Sequence, residues 1–313
     1  MNVSARCKLG VGTHAIPLLV VMAAATTSSA ATAQRTEPPT TAATAPTKDR
    51  LPLGNGRVST EPRVGYVFSC RTTFNGRGAH GGPWISGATW DPAAKPVVSG
   101  SVSWPNARIT IGREGDQRIV RANNLPTHPT GIFPIQPTDS VYRYDRNPNG
   151  IREQNILLTL PAVPTAAPVP SCVPMGMIGF AVSGVALYNA LDAAGMDAVA
   201  NEIQDRCNGH PQMMGQYHYH NASACLADSA GARGKHSDLI GYALDGYGIY
   251  GMHGEHGEAL TNGDLDACHG HEHVIVWDGR PLRLYHYHAT AEYPYTVGCF
   301  HGAPERRTAR GGS

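Results

Sequence analysis

The strongest constraint on how this chain folds is that part of it occurs twice. Residues 178–188, Ile-Gly-Phe-Ala-Val-Ser-Gly-Val-Ala-Leu-Tyr, align without gaps on residues 240–250, Ile-Gly-Tyr-Ala-Leu-Asp-Gly-Tyr-Gly-Ile-Tyr. Asp205-Arg-Cys-Asn-Gly-His210 then aligns on Asp266-Ala-Cys-His-Gly-His271, and Tyr217-His-Tyr-His220 on Tyr285-His-Tyr-His288. Each copy closes on a further cysteine, Cys225 or Cys299. Three ordered matches at nearly equal spacing point to internal duplication over residues 178–225 and 240–299. Two such units, each too small to bury its own apolar face, would pack on each other about a pseudo-two-fold axis. The expected fold is mainly β with one or two helices (α+β), made of internally duplicated β-hairpin units and stapled by disulfides. With 36 Gly and 24 Pro among 313 residues and only 16% charged side chains, a long helical bundle is excluded.

Local patterns fill in the rest. Short β-branched runs at residues 97–102 and 108–111 read as strands in a strand-rich N-terminal extension, residues 58–123. Trp84, Trp90 and Trp104 read as packing residues. A helix is expected over residues 186–203, where Leu187, Ala190, Leu191, Ala194, Ala198 and Ile203 approximate a helical stripe.

The histidine motif is best read as a strand. Residues i and i+2 of a strand share a face, so in Tyr285-His286-Tyr287-His288 both imidazoles point one way and both phenols the other. Asp278-Gly279 signals a two-residue hairpin turn. The register that follows pairs Trp277 with Arg280, His271 with His286 and His269 with His288, which would put four imidazoles on one face. In the first copy, a three-residue turn at Met213-Met214-Gly215 sets His210 opposite His218 and Asn208 opposite His220.

Neutral imidazoles bind borderline metals such as Cu and Zn, and a pair on a stiff strand loses little entropy in doing so. The candidate ligands are His210, His218, His220, His269, His271, His286 and His288, with Asp205, Asp266 and Asp245 as acceptors that would orient the ligating rings. The competing reading is a hydrogen-bonded aromatic core of Tyr and His with no ion. The second copy is the richer, with Asp245 and a polar loop bearing His253, Glu255, His256, Asn262 and Asp264. Residues 262–266 lack the full calcium-loop pattern and read as a turn. Gly246, Gly248 and Gly251 read as tight backbone geometry, since no phosphate-binding glycine motif is present. His80 and His128, isolated in loops, read as surface residues.

Arg6 and Lys8 followed by an apolar run and a small-residue site at residues 31–33 read as a secretory signal peptide, residues 1–33. The run is broken by His14 and Pro17 and falls short of the roughly 20 apolar residues of a spanning helix, so no transmembrane anchor is expected. Residues 34–57, rich in Ala, Thr and Pro, read as a flexible linker, and residues 303–313 as a disordered tail. Removal of Cys7 leaves six cysteines, an even count that suits disulfides in an exported, extracellular or periplasmic protein. Bridges within each copy, Cys207 with Cys225 and Cys268 with Cys299, respect the duplication and leave Cys70 with Cys172, although count alone permits other pairings. With 25 basic against 24 acidic residues the chain lacks the charge of a nucleic-acid binder.

The doubled motifs, with residues 245–251 (Asp-Gly-Tyr-Gly-Ile-Tyr-Gly) between them and residues 292–300 after, resemble the YHYH domain family of mostly exported bacterial proteins. Asn147-Pro-Asn-Gly150 and residues 186–192 also fit, and the resemblance extends over residues 124–302. It implies a domain of that extent and an exported location, but no reaction. Three function classes follow. The first is an exported histidine-rich Cu or Zn protein, with room for an oxidoreductase activity. The second is a disulfide-stabilised extracellular binding or structural module for a protein or cell-surface partner, in which the motifs are core elements. The third is a hydrolase with a histidine base, though neither Gly-x-Ser-x-Gly nor His-Glu-x-x-His occurs.

Overall fold

The computed structural model describes residues 50–79, 81–226 and 235–305. The expected signal peptide, the linker up to residue 49, His80 and the tail from residue 306 lie outside the described residues. Five two-residue strands open the described chain: β1 (Leu51–Pro52), β2 (Val58–Ser59), β3 (Val67–Phe68), β4 (Ile85–Ser86) and β5 (Thr89–Trp90). Next, β6 (Ile109–Glu114), β7 (Gln117–Ala122) and β8 (Ile156–Pro161) form a three-stranded antiparallel sheet. β9 (Ala166–Ser171) pairs with the last strand of the chain.

The largest sheet has eight strands. They are β10 (Met177–Ala181), β11 (Ala186–Tyr188), β12 (Gly209–Pro211), β13 (Tyr217–Tyr219), β14 (Leu239–Ala243), β15 (Gly248–Tyr250), β16 (Gly270–Trp277) and β17 (Arg280–His288), and β18 (Phe300–Gly302) ends the series. Their order is β12-β13-β11-β10-β14-β15-β17-β16. Read from either end, the pairings run antiparallel, parallel, antiparallel, and meet at the antiparallel pair β10–β14. There Phe180 lies opposite Tyr242, flanked by Gly179 opposite Ala243 and Ala181 opposite Gly241. A Cβ on either glycine would sit 2.7 Å from the facing carbonyl oxygen, of Tyr242 or Phe180 respectively, so only glycine allows the two strands this approach. Both strands are apolar and almost wholly buried, as a sheet covered on two faces requires.

The two expected hairpin registers are present. Trp277 faces Arg280 and His271 faces His286 across a turn in which Asp278 and Gly279 both have positive φ, the backbone that matches strand twist. His210 faces His218 across a turn closed by Gly215 at φ +80. Three disulfides are formed, Cys70–Cys172, Cys207–Cys225 and Cys268–Cys299.

Elsewhere the structure departs from expectation. The helix over residues 186–203 shrinks to α1 (Ala198–Asn201). Residues 186–188 are drawn into the sheet between β10 and β13, where Ala186 and Leu187 are consecutive and both buried, without helical periodicity. Beyond them Asn189 accepts from the Leu191 amide, Asp192 from the Ala194 and Met196 amides, and Gly195 has φ +76, so side-chain turns replace helical hydrogen bonds. Residues 97–102 form only isolated bridges, from Val98 to Asp205 and Val102 to Thr130. The last part of the expected linker is folded in, with the Gly54 amide donating to Asp197 and Asn55 accepting from the Asp197 amide. Trp84 and Trp90 are buried, as packing residues should be. Among the described residues no helix is long and apolar enough to cross a membrane.

Candidate metal centres

The strand alternation separates the two halves of each Tyr-His-Tyr-His motif. On one face the phenols are buried and anchored. Tyr217 donates to Asp205 at 2.8 Å and Tyr285 to Asp266 at 2.9 Å. Tyr287 donates to Asp245 at 2.5 Å, whereas Tyr219 meets the Ser183 hydroxyl at 3.1 Å and the ring of His128. Asp205 and Asp266 also close the turns that precede β12 and β16, accepting from the Cys207 and Gly209 amides and from the Cys268 and Gly270 amides. Asp205, Asp245 and Asp266 therefore hydrogen-bond tyrosines and backbone rather than orient imidazoles, which corrects the expectation. Their sheet face explains it, because the side chains they reach alternate away from the histidines.

The imidazoles occupy the opposite face in two groups. The register carries His218 beside Ala186, Ala186 opposite Phe180, Phe180 opposite Tyr242 and Tyr242 opposite Gly248, which precedes the residue beside Tyr287. His218 and His286 thus share one face of the sheet. The first group is His210, His218 and His220, all buried. Nε2 of His218 and Nε2 of His220 are 3.1 Å apart. Their Nδ1 atoms face the carbonyl oxygens of Gln216 at 3.1 Å and Asn189 at 2.5 Å. A carbonyl only accepts, so each Nδ1 carries the hydrogen and each neutral ring turns an Nε2 lone pair toward the other. His210 has no hydrogen-bond partner on either nitrogen among the described residues. Glu202, at the end of α1, brings Oε2 to 3.4 Å from His210 Nε2 and 3.5 Å from His220 Nε2.

The second group is His236, His271, His273, His286 and His288, whose ligand atoms all lie within 4.8 Å of one another. His236 Nε2 is 3.3 Å from His286 Nε2 and 3.1 Å from His288 Nε2. The Nδ1 atoms again face backbone oxygens: Ser237 at 2.8 Å for His236, Val274 at 3.1 Å for His273, Leu284 at 2.9 Å for His286 and Gly251 at 2.7 Å for His288. Backbone carbonyls set the tautomers, the task expected of the aspartates.

Electrostatics agree with the geometry. Burial pushes His218 well below the usual imidazole value, with His220 adding to it. It takes His220 down to about 4 and His286 to about 3. Burial likewise raises the Glu202 carboxyl well above its usual value, reinforced by Asp192 and Asp145 and opposed by Lys95. Protons are disfavoured where the lone pairs converge, and a bound cation would reverse the balance for the carboxyl.

Of the expected ligands, His210, His218 and His220 come together, as do His271, His286 and His288. His269 does not join them: at φ +75 it occupies the turn before β16, and its Nε2 pairs with Thr290 Oγ1 at 3.1 Å. Asn208 takes the same place in the first copy, at φ +62. Their backbone is turned out of the ladder, which is why neither pairing across the hairpin carries a side chain into the group. His128, expected as a surface residue, is half-buried against Tyr219. Three contributors were missed. His273 continues the alternation from His271, a spacing visible in the sequence. His236 and Glu202 arrive from connecting segments, and nothing local marks them.

The comparison with known families meets this geometry. Residues 157–261 match the family model described as YHYH protein. The match takes in the first Tyr-His-Tyr-His and stops short of the second, so it is narrower than the resemblance over residues 124–302. No curated protein and no solved structure matches significantly. Both histidine groups have a geometry that could hold a metal ion.

Proposed function

We propose that this is an exported, histidine-rich metal-binding protein that takes Cu or Zn. The observation that carries the reading is the 3.1 Å approach of the His218 and His220 Nε2 atoms while both Nδ1 hydrogens are committed to carbonyls. Two lone pairs at that distance repel unless something positive lies between them. A shared proton is opposed by burial, whereas a divalent ion supplies the charge and is bound by neutral imidazole. A tetrahedral ion with Zn–N of about 2.0–2.1 Å has ligand–ligand edges of about 3.3–3.4 Å, close to the 3.1 and 3.3 Å separations found. Export is supported by the three disulfides.

The palindromic strand order and the Phe180–Tyr242 pair at its centre support an internal duplication with pseudo-two-fold symmetry, in a domain of residues 124–302. One observation favours a structural role for half of each motif: Tyr217, Tyr219 and Tyr287 have no exposed surface and all four motif tyrosines are hydrogen-bonded. The motif would then serve two ends, phenols for the core and imidazoles for the ion.

Elemental analysis of the purified mature protein after mild dialysis tests the reading. Close to stoichiometric Cu or Zn is expected, with loss from the second group on His286→Ala plus His288→Ala. A protein that holds neither metal, and melts at the same temperature with and without added Cu or Zn, would leave the disulfide-stabilised module as the better account.

A further inference from the structure

The two histidine groups share three positions and differ in everything added to them. In the repeat alignment His210, His218 and His220 correspond to His271, His286 and His288. To this common trio the first group adds one carboxylate, Glu202, where the second copy has Gly263. The second adds two imidazoles, His236 and His273, where the first has Pro174 and Gln212. We propose that the chain holds two unlike ions, the first bound by four donors (His210, His218, His220, Glu202) and the second by five imidazoles with a sixth position kept for a small exogenous ligand. This rests on the metal-binding reading and states what each site does with its ion.

Donor number and spacing argue for the difference. A tetrahedron has four vertices, so an ion so bound at the second site would leave a fifth nitrogen unused. The His271 and His273 Nε2 atoms are buried without a hydrogen-bond partner among the described residues, and an atom left so destabilises the fold. Five vertices of an octahedron with metal–nitrogen distances of about 2.1 Å have neighbouring edges of about 3.0 Å and opposite vertices about 4.2 Å apart. The observed separations of 3.1 and 3.3 Å, and the 4.8 Å limit on all five ligand atoms, accommodate that arrangement. At the first site Glu202 Oε2 completes a set of four, and its negative charge suits a divalent ion among otherwise neutral ligands.

Burial separates them further. All three histidines of the first site are 3–4% exposed. At the second, His286 and His288 are fully buried, but His236, His271 and His273 are only half-buried, although each site takes at least one histidine from an edge strand, β12 or β16. A closed four-donor set is the pattern of a structural ion, and an accessible site with an open position is the pattern of one that meets outside ligands.

Cobalt(II) titration of the chelator-stripped, full-length mature protein tests this, because four-coordinate Co(II) absorbs strongly in the visible and six-coordinate Co(II) weakly. Two equivalents are expected, one of each type. His218→Gln should remove the strong component only. His273→Gln, at a half-exposed position that carries little of the fold, should alter the weak component only, and azide should shift the weak component and leave the strong one. A single equivalent, two strong components, or an azide shift confined to the strong component would overturn the inference while leaving metal binding intact. No cobalt bound at all would overturn both.

Discussion

The tyrosine face offers a prediction whose size follows from its contacts. Tyr287 is fully buried, donates to Asp245 Oδ2 at 2.5 Å and accepts from the His301 amide at 2.8 Å. Asp245 Oδ2 retains the Gly302 amide at 2.9 Å. Tyr287→Phe removes a hydrogen bond to a charged group, worth about 1.5–3 kcal/mol, and strands the His301 amide for about 1 kcal/mol or more. The expected loss is about 2.5–4 kcal/mol, a large share of the roughly 5–15 kcal/mol available to a domain. Its counterpart Tyr219 meets a neutral serine hydroxyl at 3.1 Å and the ring of His128. Tyr219→Phe should therefore cost only about 1–2 kcal/mol. Urea unfolding followed by circular dichroism measures both, with unchanged m-values showing that the denatured state is not the cause. Metal content should be the same in both variants, because the phenols lie on the face away from the imidazoles. Equal losses in the two variants, or loss of metal in either while the protein remains folded, would refute the reasoning.

Acid should weaken the metal-free protein through His210, His218, His220, His269, His271, His286 and His288, whose pKa values burial lowers. Their folded values lie below the unfolded one of about 6.5, so the unfolded chain binds more protons and stability falls as pH drops below about 6.5 toward the folded values. For His220 at about 4 and His286 at about 3, the loss by pH 5 is about 2 kcal/mol each relative to neutral pH. Urea midpoints at pH 7.5 and 5 of the apo protein and of its His286→Gln variant would show it, because raised buried carboxyls such as Glu202 gain stability on acidification in both; an acid response that is the same in the two would contradict the burial of a neutral ring at His286. The disulfides should rank by the chain they enclose. Cys70–Cys172 spans 102 residues and Cys207–Cys225 spans 18, so on the chain-entropy account removing the first by paired serine substitution should cost about 1.5 kcal/mol more than removing the second. Thermal melts of the two double variants give the order, and the reverse order would show that native packing outweighs loop closure.

Much of the site is legible in the sequence because it depends on short-range geometry. The i, i+2 rule sets His286 beside His288, and a turn with two positive-φ residues sets the register that brings His271 opposite His286. The same rule failed at His269 because the Asp-x-Cys-x-Gly-His segment is a turn whose fourth residue leaves the strand. The spurious helix at residues 186–203 arose from a similar cause. Apolar residues at helical spacing are also what a buried strand followed by tight turns supplies, and the choice rests with the neighbours β10 and β13.

By itself the sequence determined the repeat, the two hairpins and their registers and the separation of phenols from imidazoles, since each follows from alternation or from turn chemistry within a few residues, while the cysteine pairing within each copy was favoured only by the repeat. Only the tertiary structure decided which further groups join each histidine cluster. Glu202 reaches the first from the end of a short helix and His236 the second from the segment before β14, while carbonyls such as those of Asn189 and Gly251 set the ring tautomers. Glu202 lies near its partners in the chain but reaches them through a turn and a hairpin, and the other contacts join segments tens of residues apart, so all depend on how the sheet is assembled rather than on any local pattern.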